Sequence, residues 1–100
     1  MDIEMLVVPD CPNEEPAAAR LREALNGIGL RDTRFTTRVI TDQAEAERYR
    51  FTGSPTFLID GHDPFAERGR PFGLACRVYR TPHGLAGLPT PDQLRRALAG

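Results

Sequence analysis

The chain has 100 residues, 40% of them hydrophobic and 27% charged, with a formal net charge of −1. That is the size of one ordinary domain with enough apolar residues for a core. The near-neutral mixture of interspersed acids and bases argues against sequence-independent nucleic-acid binding, which needs a basic patch. All 13 basic residues are arginine, which, beside abundant alanine, glycine and proline, reads as a coding bias and not as a functional choice. The acidic start Met1-Asp2-Ile3-Glu4 and the short apolar run Met5 to Val8 lack the basic flank and the length of a signal peptide or a membrane helix. Two cysteines are too few for a secreted disulfide framework. The expected setting is therefore a bacterial-type cytoplasm, with no membrane partner and no structural disulfide.

Ile3 to Val8 ends in a continuous apolar run, the pattern of a strand covered on both faces. It stops at Pro9-Asp10-Cys11-Pro12-Asn13. Ala17, Ala18, Leu21, Leu25 and Ile28 then recur three or four apart, which predicts an amphipathic helix with Pro16 in its first turn and Asn26-Gly27 as its left-handed end. Thr33 to Ile40 alternates as a half-exposed strand, with Phe35, Thr37 and Val39 on one face. Asp42 followed by Glu45 resembles a capping box and opens a short helix to about Tyr49. Thr56-Phe57-Leu58-Ile59 is a strand closed by the turn pair Asp60-Gly61, and a Pro/Gly-rich loop runs from His62 to Leu74. Cys76 to Thr81 reads as a further strand. Thr90-Pro91-Asp92-Gln93 is a strong helix start, followed by Leu94, Ala97 and Leu98 on a core-facing side. The order strand, helix, strand, helix, strand, strand, helix predicts an α/β domain with a mixed sheet and helices on both faces.

Two motifs in this order resemble the thioredoxin and glutaredoxin superfamily. Tyr49-Arg50-Phe51-Thr52-Gly53-Ser54-Pro55-Thr56-Phe57-Leu58-Ile59 resembles the thioredoxin segment that leads into its cis-proline strand, and Pro9-Asp10-Cys11-Pro12-Asn13 resembles the glutaredoxin active-site start. The resemblance implies a single thioredoxin-like domain over residues 1–100, a four-stranded mixed sheet of order βαβαββα, and a cis bond before Pro55. It implies Cys11 as nucleophile beside Pro55, with Pro12, Ser54 and Thr56 contacting substrate. It also implies that the Ser54 backbone pairs with an extended partner chain or glutathione. The position of the second cysteine of dithiol members is Glu14 here, so the intramotif disulfide cannot form. A further similarity, to thioredoxin-like proteins related to alkylmercury lyases, rests on Ser-Pro-Thr-Phe-Leu-Ile-Asp-Gly and Cys-Arg-Val-Tyr-Arg-Thr. It would cast Cys11 and Cys76 as mercury-holding thiolates and Asp10 as proton donor.

The residues themselves leave alternatives open. A thiolate at a helix start gains only about 0.3–1 kcal/mol from the dipole, and Glu14 and Glu15 oppose that, so strong activation of Cys11 would need backbone donors or an arginine such as Arg77 or Arg80. Otherwise Cys11 is a half-buried, inert small hydrophobe. Cys76, a possible second thiol, is either a core cysteine or a resolving or metal-binding partner. As the first residue of a last strand it would stand at the far end of the sheet from Cys11, because the run to Thr81 spans about 17 Å. His62 and His83 have no recognised metal spacing with the cysteines, and no metal is expected. Phe65 and Phe72 either cap the core or form a recognition surface. Two functions are consistent with these residues. One is a monothiol-type thiol-disulfide oxidoreductase that uses glutathione or another low-molecular-weight thiol, with a thiol or disulfide substrate as partner. The other is a non-catalytic thioredoxin-like module that binds a partner through the Pro55 surface. A monomer or weak dimer is expected in either case.

Overall fold

Alternation along Ile3–Val7 (β1) decides the layering of the molecule, whose computed structural model describes residues Met1–Gly100. Ile3, Met5 and Val7 project to one face, where they meet Ala17, Leu21, Ala24 and Leu25 of Glu14–Gly27 (α1) and Leu94 and Leu98 of Pro91–Ala99 (α3). Leu6 projects to the other face, against Ile40, Phe51 and Ala46 of Gln43–Arg48 (α2). Helices therefore cover both faces, as the continuous apolar run requires. Each fully buried Leu, Phe or Met side chain contributes about 1.5–3 kcal/mol.

β1 is the middle strand. Thr36–Val39 (β2) runs parallel to it, with Leu6 opposite Arg38, and Thr56–Ile59 (β3) runs antiparallel, with Met5 opposite Phe57. The β2 edge is exposed along its whole length, so the strand read from Thr33 to Ile40 is shorter and wetter than its alternation suggests. β3 ends in a two-residue turn in which Asp60 (φ 51°) and Gly61 (φ 82°) are both left-handed, the geometry that Asp-Gly serves. α3 carries the complete capping box: Thr90 Oγ1 accepts from the Gln93 N–H (3.1 Å), and Gln93 Oε1 accepts from the Thr90 N–H (2.8 Å). At α2 the box is half made. Asp42 accepts from the Glu45 N–H, but the Glu45 carboxylate turns to the N–H and hydroxyl of Thr41. Those bonds from Thr41 hold the Glu45 carboxyl below its ordinary value. The helix α1 runs through Gly27, and the left-handed residue that ends it is Gly29 (φ 84°), not the Asn26-Gly27 pair.

The fourth strand is the main departure. The sheet has three strands in the order β2-β1-β3, and Tyr79–Thr81 (β4) pairs instead with Gly84–Ala86 (β5) in a separate antiparallel hairpin. Cys76 makes one isolated parallel bridge, to Ser54. Beyond that bridge the segment meets the start of β3 through side chains, Arg77 donating to the Thr56 hydroxyl, so no ladder continues. Side chains cover the flank that a fourth strand would occupy. The Tyr79 hydroxyl donates to the Pro55 carbonyl, and the Tyr79 ring meets Phe57 at 6.3 Å and Phe65 at 5.4 Å between centroids. Phe65 thus caps the core, while Phe72 stays 39% exposed. No helix is long and apolar enough to cross a membrane.

Burial holds the Tyr79 phenol well above its ordinary value of 10.0. The unfolded chain gives up this proton near 10.0 while the folded chain keeps it, so the folded state binds the extra proton and loses stability as pH rises past that value. Tyr79→Phe should cost about 1 kcal/mol at neutral pH through the lost hydrogen bond. It should also flatten the alkaline loss of stability. Urea unfolding at pH 8 and pH 11 checks this; an equally steep alkaline loss in the variant would contradict it.

Candidate functional site

The site assembles where β1 gives way to α1. Asp10 adopts a left-handed turn (φ 57°), and the Glu14 N–H reaches back to the Cys11 carbonyl (3.2 Å). This folds Cys11 in under the start of the helix. Its side chain joins the larger core cluster and is 8% exposed, so Cys11 is more enclosed than a residue at an open helix start. Pro12 beside it is exposed. Asn13 makes no side-chain cap, and its amide lies 2.7 Å from where a Cβ on Gly87 would stand. The chain after β5 therefore closes over the helix start, and only a glycine fits there without moving Asn13.

Ser54 holds the site together. It is fully buried, and the Ser54–Pro55 bond is cis. Its hydroxyl accepts from the Val8 N–H (3.1 Å) and donates to the Cys11 Sγ (2.9 Å). Cys11 and the start of the β3 segment are thus together, as the two motifs imply. The backbone of Ser54 departs from expectation. Its N–H donates to the Ala75 carbonyl (2.8 Å), and its carbonyl accepts from the Arg77 N–H (3.0 Å). The pairing edge expected to receive glutathione or a partner chain is already filled by the protein's own Ala75–Arg77 segment. Gly53 permits this approach: a Cβ there would stand 2.9 Å from Arg77 Cα. Cys76, expected at the far end of the sheet, lies directly opposite Ser54 and is exposed. Both cysteines are free thiols. Thr56 is buried, with its hydroxyl donating to the Gly53 carbonyl (2.6 Å) and accepting from Arg77 (3.1 Å), so its polar atoms serve the interior.

Neither arginine considered as an activator gives its charge to the thiol. The Arg77 side chain, 1% exposed, meets the Asp63 carboxylate at 2.7 Å. It also donates to the Phe65 carbonyl (2.7 Å), and its guanidinium lies 4.6 Å from the Tyr79 ring centre. Its Nε has no partner. Arg80 turns outward to Glu67 (3.1 Å). Glu67 also accepts from Arg70, whose hydrogen bond is the main reason that its carboxyl lies below the ordinary carboxylate range. Arg77 thus has a structural part beyond the activating one expected of it. The available signal was its phase: along 76–80 it alternates together with buried Tyr79, while Cys76, Val78 and Arg80 face out.

Nowhere do three or more His, Cys, Asp or Glu side chains come together as a metal site would require. A cleft of about 410 Å³ opens between Tyr49–Thr52 and the loop carrying His62, Glu67, Arg70 and Phe72. Cys11, Ser54 and Cys76 are not part of it. Comparison with protein-family models, curated proteins and solved structures finds no match. The likeness to thioredoxin and glutaredoxin therefore rests on element order and the two local motifs.

Asp63→Ala leaves the Arg77 charge buried without its partner, and removing one member of such a pair costs about 3–5 kcal/mol. Asp63 is itself 14% exposed, so the lower end is expected, read as a shift of the urea midpoint. A change near zero would mean that Arg77 finds water in the folded protein.

Proposed function

We propose that the chain is a thioredoxin-like thiol-disulfide redox protein whose motif is of monothiol type, with the Cys11 sulfur as nucleophile and Glu14 at the position of the motif's second cysteine. One observation carries this reading: the Ser54 hydroxyl sits 2.9 Å from the Cys11 Sγ, between the end of β1 and the cis Pro55 that opens β3. That hydrogen bond fixes the sulfur beside the start of β3, and a cysteine sulfur so placed is the nucleophile of disulfide exchange. The partner strands agree, because β1 lies parallel to β2 and antiparallel to β3, with helices on both faces. Cys11 attacks one sulfur of a small disulfide, the new S–S bond forms, and the other half leaves as a thiolate. The 8% exposure suits a small disulfide better than a bulky chain. A reducing cytoplasm would keep both thiols free for this chemistry.

The alternative is a non-catalytic thioredoxin-like module that binds a partner. The enclosed Cys11 and the filled Ser54 edge favour it. Cys76→Ser protein separates the two, since Cys11 is then the sole thiol. Treatment of the native variant with oxidised glutathione should give one glutathione on Cys11, detected by mass spectrometry without reductant. An adduct formed only after urea is added would favour the binding module.

A further inference from the structure

The placement of Cys76 extends the reading of Cys11 as nucleophile and rests on it. The Ser54 N–H and carbonyl bond to Ala75 and Arg77, so the Cα atoms of Ser54 and Cys76 stand directly opposite, at the strand spacing of about 4.8 Å. The Ser54 hydroxyl donates to the Cys11 Sγ. Arg77 and Tyr79, the inward residues of this segment, are buried, and Cys76 alternates away from them. Cys11 and Cys76 therefore flank one residue, Ser54: the first through its side chain, the second through its main chain.

We infer that Cys76 is the resolving thiol for Cys11, and that the 75–77 segment lies where an external thiol would otherwise dock. A disulfide needs Cα atoms within about 7 Å. Closing to that distance meets no buried side chain within 74–76, since Leu74, Ala75 and Cys76 are all exposed. The reaction balances in two exchanges. The Cys11 thiolate attacks oxidised glutathione, giving a mixed disulfide and one glutathione thiolate. The Cys76 thiolate then attacks the Cys11 sulfur, giving the Cys11–Cys76 bond and a second glutathione thiolate. The protein gives up two thiol protons and two electrons, and the small disulfide is reduced to two thiols. A tethered thiol works at an effective concentration of about millimolar or more, set by its short linker. A free thiol has no such advantage, and here it also lacks the Ser54 pairing edge.

The test compares wild-type protein with Cys76→Ser after oxidised glutathione, by mass spectrometry without reductant and peptide mapping. Wild-type protein should lose two hydrogen atoms in mass, carry no glutathione, and yield a Cys11–Cys76 cross-linked peptide pair. Cys76→Ser should retain glutathione on Cys11. Persistent glutathione on Cys11 in both proteins, with Cys76 free in the wild type, would overturn the resolving role while leaving Cys11 as nucleophile. A wild-type adduct on Cys76 alone would overturn it as well. No reaction at Cys11 in either protein would overturn the redox reading itself, and the resolving role with it.

Discussion

Every polar group of Ser54 is spent inside the protein, and the arrangement of the site depends on that. The hydroxyl ties the end of β1 to the Cys11 sulfur, and the two main-chain groups hold the Ala75–Arg77 segment. A buried polar group left unpaired costs about 1–3 kcal/mol. The four bonds therefore leave none of these groups unpaired as well as joining three distant parts of the chain. Gly53, one residue earlier, lets the Arg77 backbone come close enough for the clamp to form.

On either side of the clamp, side chains far apart in the sequence divide the labour. Arg77, drawn inward by the bond from its N–H to Ser54, fixes Asp63 and the Phe65 carbonyl, so the loop after β3 is anchored by charge and not by a strand. Tyr79 completes this flank by packing on Phe57 and Phe65. The same inward turn leaves Cys76 outward and opposite Ser54. A surface that would serve as a docking edge if it were open is thus closed by the protein itself, and the second thiol arrives with the segment that closes it. Redox chemistry at Cys11 would then depend on a partner already inside the molecule.

Local signals in the sequence carried most of the frame. The apolar run of β1, the three-or-four spacing of α1, the Thr90 box of α3 and the Gly-Ser-Pro-Thr turn into β3 each depend on neighbours a few residues away, and each is found. The fourth strand depends on which remote segment the chain pairs with, and no periodicity encodes that: the alternation of Cys76 to Arg80 is real, but it bridges to the single residue Ser54 and then pairs with Gly84–Ala86. The enclosure of Cys11 was only half legible, since Cys-Pro after a strand looks open until Tyr79 and Leu94, far along the chain, join Cys11 in one core cluster. Arg77 shows the limit most clearly. Its guanidinium is buried only because Asp63, Phe65 and Thr56 converge on it across gaps of 12 to 21 residues.

Ser54 binds the Ala75–Arg77 segment as firmly as it binds the end of β1. Amide hydrogen exchange of the reduced native protein at Arg77 measures this, because that N–H donates to the Ser54 carbonyl although residues 74–76 are exposed. The Arg77 amide should exchange as slowly as the Val8 amide, which donates to the Ser54 hydroxyl. An Arg77 amide that exchanged at the rate of an unstructured loop, beside a protected Val8, would contradict it.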